Sequence, residues 1–485
     1  MPSTAFSREI AKQFLKPRFK FTYDDIDYSA SVISISPLKR SDNLSAQYVT
    51  VTISDPLHLW DAIFRTDHTE LTSKQAIISF CIGHIATKTS SAIQFHEGGA
   101  GADTITLAAG GLSVFKPGTV IAISGSSEPA NNTSVMITSV TDTTLTLSID
   151  DDLITNIAEV DLIVLETEAI PQFTGVVESA VINHDQGTIS LRIRDRISLL
   201  LENKVGSVSG DQIVELHQNN YDTAVAGYKS SPMIISAVTF ALLTIYGKLD
   251  DTNTTPDTNV DIDMDSFDAW AVHVDNGGYA LYDVGFVIGG GPTVASVLSS
   301  IAKLTVSQIW VGLDGRIKFK ASTHPISGGT YIPSQILSAQ LEIGIADRKN
   351  LYYTKYGYYS LLDTWQSDTD GISAVQTYYG PQAEPYATQI EWEQDREVSH
   401  NTIASADLYS DESLKITGPP IRTWTLEFPL FAILEDVGNE ITIHNLYATG
   451  VYHLMVVFIR EIELDPMSLI TTISGYYMWL ASELA

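Results

Sequence analysis

FTGVVESAVINHDQGTISLRIRDRISLLLENKV, residues 173–205, reads as strand, turn, strand and helical turn. The segment 173–182 is β-prone. His184-Asp185-Gln186-Gly187 supplies the turn, with Gly187 free to take a positive φ. Ile189, Leu191 and Ile193 alternate with Ser190, Arg192 and Arg194, so one face of the second strand belongs in a core and the other among polar groups. Asp195 can cap a short helical segment over 196–201. An isolated hairpin is at best marginally stable. The stretch therefore needs a partner sheet, and its best partner lies upstream, across a segment of foreign composition.

That upstream partner spans 19–90. FKFTY, the turn-like Asp24-Asp25, YSASVISIS, a polar loop at 41–45 and YVTVTIS form a strand pattern, and QAIISFCIG at 75–83 reads as a buried strand. Between it and the opening stretch, 91–166 is dominated by Thr, Ser, Gly and Ala. DTITLA, TVIAIS, NTSVMITSV, TDTTLTLSI and AEVDLIVLE are short strands with tight turns, a compact all-β module inserted into a host domain. Its ends should lie close together.

Downstream, 206–328 is mixed α/β. Pro232 opens a helix, MIISAVTFALLTIY, and Gly247 ends it. An acidic loop, DDTNTTPDTNVDIDMDSFDAW, follows. A second helix spans 293–303, and SQIWVG, an Asp314-Gly315 turn and IKFKAS make a hairpin. From 329 to 485 strands return: SAQLEIGI, LYYTKYGYYS, VQTYYG, TWTLEFPL, EITIHN, YHLMVVFIREIEL and LITTISGYYMWL, with a brief helix over 407–414. The fold class is mainly β with a mixed α/β middle domain. The domain map is an arm at 1–18, a discontinuous β-barrel at 19–90 and 167–205, the inserted module at 91–166, the middle domain at 206–328 and a second β-barrel at 329–485. The two ends echo each other in pattern, without a residue-level repeat.

In the arm, Phe6, Ile10 and Phe14 form one stripe at spacing four, and Arg8, Lys12 and Lys16 another; Pro17 stops the helix. The stripe reads either as a face packed on its own domain or as a docking arm for a neighbouring subunit.

Composition bounds the function. The 485 residues are 44% hydrophobic and carry 28 Lys and Arg against 58 Asp and Glu, a formal charge of −30. After residue 40 the balance is 21 basic to 54 acidic. Such a body is ill suited to gripping nucleic acid, which needs clustered Lys and Arg; solubility is the plain alternative. No apolar run approaches the ~20 residues of a membrane span, and no secretory signal core opens the chain. The single cysteine, Cys81, excludes an internal disulfide, and a disulfide-free cytoplasmic product is the default expectation.

Motifs for catalysis are missing: no HExxH, Walker A or GxSxG occurs. Gly98, Gly99 and Gly101 precede a strand instead of a helix and read as a turn, not a dinucleotide loop. Asp261, Asp263 and Asp265 alternate as in a calcium loop, but Ser266 and Val272 stand where Gly and a bidentate Glu are needed, so a solvated acidic loop is preferred. His273, His324, His400, His444 and His453 are scattered, and Cys81 reads as a small buried hydrophobe. A carboxylate pair for glycoside hydrolysis is a matter of geometry that sequence does not carry. No enzyme activity, cofactor or metal is expected.

Taken in order, YDDIDYSASVISIS, YVTVTISDP, LTSKQAIISFCIG and FTGVVESA…GTISLRIRDRISLLLENKVG resemble the first barrel of central hub proteins of bacteriophage tails and baseplates. SPMIISAVTFALLTIYGKL with IDMDSFDAW, then VASVLSSIAKLTVSQIWVGLDGRIKFK, resemble the middle domain of that family. The resemblance covers most of the chain outside 91–166. It implies a homotrimeric ring in which each subunit brings two tube-like barrels, so that six similar barrels meet a hexameric tail tube. It implies as partners the tail tube or distal tail protein, the tape measure protein and a spike or fibre protein. DNA would pass through a channel during ejection without specific binding. The location would be the virion tail tip or baseplate, after synthesis in the host cytoplasm. The alternative reading is a receptor-binding or carbohydrate-active tail protein, with 91–166 and the Tyr/Trp-rich end as its sugar surface.

Overall fold

A computed structural model describes residues 17–42, 44, 46–57, 60, 74–99, 101–156, 161–205, 214–216, 235–249, 259–276, 279–280, 284–288, 292–321, 326–344, 352–359, 364–370, 390–391, 398–400, 405, 408–409, 411–413, 421–429, 432, 434–444 and 454–477. The arm residues Phe6, Ile10 and Phe14 and the segment VQTYYG lie outside the described residues. The fold is mainly β with barrel-like sheets, and the chain forms two compact units whose boundaries fall at 36/37, 48/49, 193/194, 465/466 and 468/469.

In chain order the first strands are β1 Pro17–Tyr23, β2 Ile26–Asp27, β3 Val32–Ile35, β4 Leu38–Ser41, β5 Tyr48–Ser54 and β6 Gln75–Ile82. Next come β7 Thr87–Ser90, β8 Ile93–His96, β9 Thr104–Leu107, β10 Val120–Ser124, β11 Ser134–Val140, β12 Thr144–Leu147 and β13 Ile163–Thr167. The opening stretch is β14 Ala169–Asn183, β15 Thr188–Asp195 and helix α1 Arg196–Leu201, with Gly187 at φ 58° in the turn. Asp195 caps α1 by accepting from the Ser198 N–H at 2.6 Å and also accepts from the Gln47 N–H at 3.0 Å.

One seven-stranded sheet runs β2-β1-β6-β14-β15-β5-β3. Its two edges, β2 and β3, are consecutive in the chain and joined by residues 28–31 alone. Laid flat, seven strands would hold those edges about 29 Å apart, whereas the connection reaches about 18 Å. The sheet must therefore curl, enclosing Phe21, Val51, Ile53, Ile78, Phe80, Ile189 and Leu191, all 0% exposed. The single strand expected over YSASVISIS is broken by a 3-10 turn at Ser29–Ser31. The reason is local. The Ser29 hydroxyl accepts from the Phe21 N–H (2.9 Å) and the Asp27 carboxylate accepts from the Ser29 N–H (2.8 Å), so side chains replace the ladder.

A second seven-stranded sheet, β7-β13-β10-β11-β12-β9-β8, holds the strands of the inserted segment. Its edges β7 and β8 are separated by two residues, so it too closes on itself, around a core that includes Phe95, Ile105, Phe115, Ile137 and Leu145. The sheet begins before residue 91, in TKTS, a strand too short to stand out in the sequence. Its entry and exit touch: the Thr167 hydroxyl donates to the His84 carbonyl (2.7 Å) and accepts from the Ala86 N–H (3.0 Å).

The centre contains β16 Val214–Leu216, α2 Ile235–Ala241 continuing as a π-helical turn to Tyr246, α3 Met264–Val274, β17 Asp275–Asn276, β18 Tyr279–Ala280 and β19 Val284–Ile288. It closes with α4 Val294–Leu304 and the hairpin of β20 Ser307–Val311 and β21 Ile317–Ala321. Helix α3 lies where an acidic loop was expected. Asp263 is its N-cap, accepting from the Ser266 N–H at 3.1 Å, and Met264, Phe267, Trp270 and Val274 bury one face. Trp270 packs on Phe319 with ring centroids 5.2 Å apart, and its indole N–H donates to Ser307.

The C-terminal strands are β22 Ile326–Tyr331, β23 Ser338–Gly344, β24 Tyr352–Tyr359, β25 Thr364–Asp370, β26 Ile390–Glu391, β27 Val398–His400, β28 Ile421–Pro429, β29 Asn439–His444, β30 Leu454–Asp465 and β31 Ile470–Tyr477. Small sheets form from β16-β19-β27 and β25-β24-β26; the main one runs β22-β29-β30-β31-β28-β23, and β4 also pairs with β30. Strand β4 includes residue 41 of the expected polar loop. Once β1 is set aside, the first and last sheets have one strand order. In each, the edge strands are consecutive in the chain, joined by a segment with a 3-10 turn, Ser29–Ser31 or Pro333–Gln335. β22 runs parallel to β29, as β2 must run to β6 with β1 antiparallel between them.

Candidate functional site

Strand β4 carries the residues that tie a segment between β3 and β5 into the C-terminal sheet. Leu38 faces Leu464, and Arg40 faces Ile462. Lys39 pairs with Glu461 at 2.8 Å, largely in solvent, where such a pair contributes at most about 1 kcal/mol. Arg40 is buried at 3% exposure; burial lowers its pKa, and the charge of Asp436 works against that. Just beyond the strand, Asp42 accepts from the Arg460 guanidinium and from the Gln308 amide (3.2 Å), while its own N–H donates to the Arg460 carbonyl (2.8 Å). The Arg460 guanidinium also lies 5.8 Å from the centre of the Tyr476 ring. Burial opposes the Arg460 charge, but Asp42 outweighs it and raises the pKa. Asp42, Gln308, Arg460 and Tyr476, with Ser299 and Lys303, line a cleft.

A second cluster joins the β20–β21 hairpin to the turn before β29. Lys318 reaches Asp436 (3.2 Å), Asp263 (3.9 Å) and Asp314 (4.0 Å). Burial opposes its charge, but the three carboxylates prevail and hold its pKa above the usual lysine value. Burial likewise opposes the Asp314 charge, yet Lys318 and Arg316 hold its carboxyl below the ordinary range. Two residues along, Lys320 donates to the Gly438 carbonyl and sits 4.2 Å from the Phe458 ring centre. Burial pushes its pKa down to about 8 despite Glu440. Glu435 accepts from the Gly329 N–H (2.8 Å), the Tyr331 hydroxyl (2.7 Å) and the Asn439 amide (3.1 Å).

The chemistry of both clusters is that of a joint. Their carboxylates are occupied by cations, hydroxyls and amides. Burial raises the Tyr476 and Tyr331 phenols above their ordinary value and keeps them neutral. Among the alternating aspartates, Asp263 caps α3, Asp261 is buried and Asp265 points to solvent. Among the described residues, no three His, Cys, Asp or Glu side chains gather to hold a metal ion. His273 lies 3.6 Å from Glu412; His324 and His453 are outside the described residues. Cys81 is fully buried and burial pushes its thiol up to about 12, which suits a packing residue better than a nucleophile. Gly98 and Gly101 form a turn closed by the Gly101 N–H on the Gly98 carbonyl at 3.0 Å. Sequence reasoning missed the β4 residues because their partners lie more than 400 positions away; the only local signal was the alternation of Leu38 and Arg40 with Lys39 and Ser41.

No family model and no curated protein matches the sequence. Several solved structures are similar over nearly the whole chain. The 43 kDa tail protein of prophage MuSo2 from Shewanella oneidensis is 10% identical, with 95% of this chain and 98% of that chain covered and a TM-score of 0.44. The tail protein from Neisseria meningitidis MC58 is 11% identical, with 95% and 96% covered and a TM-score of 0.45. Prophage tail protein gp18 from Listeria monocytogenes is 9% identical, with 80% and 94% covered and a TM-score of 0.37.

Proposed function

We propose that this chain is a structural virion protein, the hub of a phage tail tip or baseplate, acting as a homotrimer. The observation that carries the reading is the strand order common to the first and last sheets. One chain supplies the same curled sheet twice, so three chains supply it six times, the number needed to face a hexameric tube while keeping threefold symmetry below. The mechanism is geometric: the ring adapts the symmetry of the tail tube, or a distal tail protein, to that of a trimeric spike or fibre. It leaves a channel that the tape measure protein and then DNA traverse. The clusters at Asp42 and Lys318 suit this role, since they brace strands instead of activating a nucleophile. The acidic body suits a channel that does not hold DNA.

Mass photometry of the purified chain, alone and with tail tubes, tests the proposal together with images of the particle. The expected particle is a trimer whose ring shows six similar lobes. Six copies of the chain in one ring, or a chain that stays monomeric on the tail, overturns it.

A further inference from the structure

The hairpins β14–β15 and β30–β31 correspond without a gap. In each, the first strand runs seven residues past its last pair with the neighbouring strand, Val176 with Gln75 in one and Phe458 with Glu440 in the other. A turn of four residues follows in each, 184–187 or 466–469, and then a strand of eight. Adding 282 to a residue number of 172–195 gives its counterpart in 454–477. The sequences hide this, because none of those paired positions holds the same residue.

The correspondence exposes one difference. In β30, residues 461–464 lie beyond the end of β29, and β4 pairs with them there. Their counterparts in β14 are residues 179–182. They lie beyond the end of β6, and among the described residues no strand pairs with that edge. The side chains report the same vacancy. Ile462 and Leu464, covered by β4, are 0% and 1% exposed, whereas Ala180 and Ile182 in the matching places are only half-buried and Val181 between them is 68% exposed. A strand edge with open N–H and C=O groups beside apolar side chains is a ready template for strand addition.

We propose that the free edge of β14 at 179–182 is an interface between copies of this chain, filled by a strand of a second copy as β4 fills the matching edge of β30. The occupant follows from the way β4 is donated. It leaves the connection between two strands of the first sheet, β3 and β5, and joins the last sheet. Carrying that head-to-tail relation onward, from a last sheet to a first sheet, generates a ring where the rotation between copies closes, as the ring reading requires. In a ring of several chains the donor to each first sheet belongs to the neighbouring copy. The inference rests on the ring reading given above and adds where its subunits join.

Hydrogen exchange with mass detection on the unaltered full-length chain tests it, comparing dilute monomer with the oligomer. Residues 460–464 serve as an internal reference, because β4 covers them within one chain. The expected result is that the amides of 178–183 facing away from β15 exchange freely in the monomer and slow by about tenfold or more in the oligomer, while 460–464 are protected in both. An oligomer in which 178–183 exchange as in the monomer overturns the interface and leaves the ring standing. Protection of 178–183 already in the monomer, or only after another tail protein is added, overturns the second copy as occupant. A chain that never self-associates overturns both this inference and the ring.

Discussion

The Lys320 amine is the group whose titration the fold perturbs most usefully. It is 4% exposed, donates to the Gly438 carbonyl and lies over the Phe458 ring. Its folded pKa is about 8, against an ordinary 10.5. Between those values the unfolded chain binds the Lys320 proton and the folded chain does not, so stability rises with pH through the window. The gap of about 2.5 pH units, at about 1.4 kcal/mol each, corresponds to about 3 kcal/mol. Lys318 runs the other way, its raised pKa adding stability that is complete below the ordinary lysine value and lost as pH rises through the higher folded one. It stays charged in both states up to about pH 9. The perturbation is Lys320→Met, which fills the same space without a titrating group. Urea unfolding of parent and variant from pH 7 to 10, followed by tryptophan fluorescence, gives the difference in which other titrations cancel. A chain of two compact units need not unfold in a single step, so the transition compared is the one Lys320→Met shifts. The parent should gain on the variant by about 1.4 kcal/mol per pH unit above pH 8, toward a total of about 3. The lost hydrogen bond and ring contact shift the curve by a constant and leave its slope. A difference that stays flat from pH 7 to 10 would refute the reasoning.

Three further outcomes are expected. Replacing residues 84–167 by a short Gly/Ser linker should leave the host sheet folded, because entry and exit already touch at Thr167 and loop length costs stability slowly; circular dichroism and solubility of the deletion check this, and aggregation would mean that the module belongs to the core. Phe14→Asp should damage folding or assembly, since burying each large apolar side chain of the arm is worth about 1.5–3 kcal/mol; normal thermal stability with normal tail incorporation would mean the arm is idle. A gel-shift titration at low salt should find no tight complex with duplex DNA, given the −30 formal charge.

Local order was legible in the chain. The strands β14 and β15, the turn ending in Gly187, the Asp195 cap, helix α4 and the β20–β21 hairpin all follow from alternation, capping and turn chemistry, which act between near neighbours. Helix α3 is hidden in the sequence because Asp265 and Asp268, which read as part of an acidic loop, lie on the outer face of a helix whose inner face is Met264, Phe267, Trp270 and Val274. What only the tertiary structure decided is long-range. The order of strands, the curl forced by the short link at Ser29–Ser31 and the addition of β4 to β30 depend on contacts between distant segments. The two corresponding hairpins share register and turn length without sharing a residue. Register is a property of backbone pairing that many side chains satisfy equally, and so it leaves almost no trace in any one sequence.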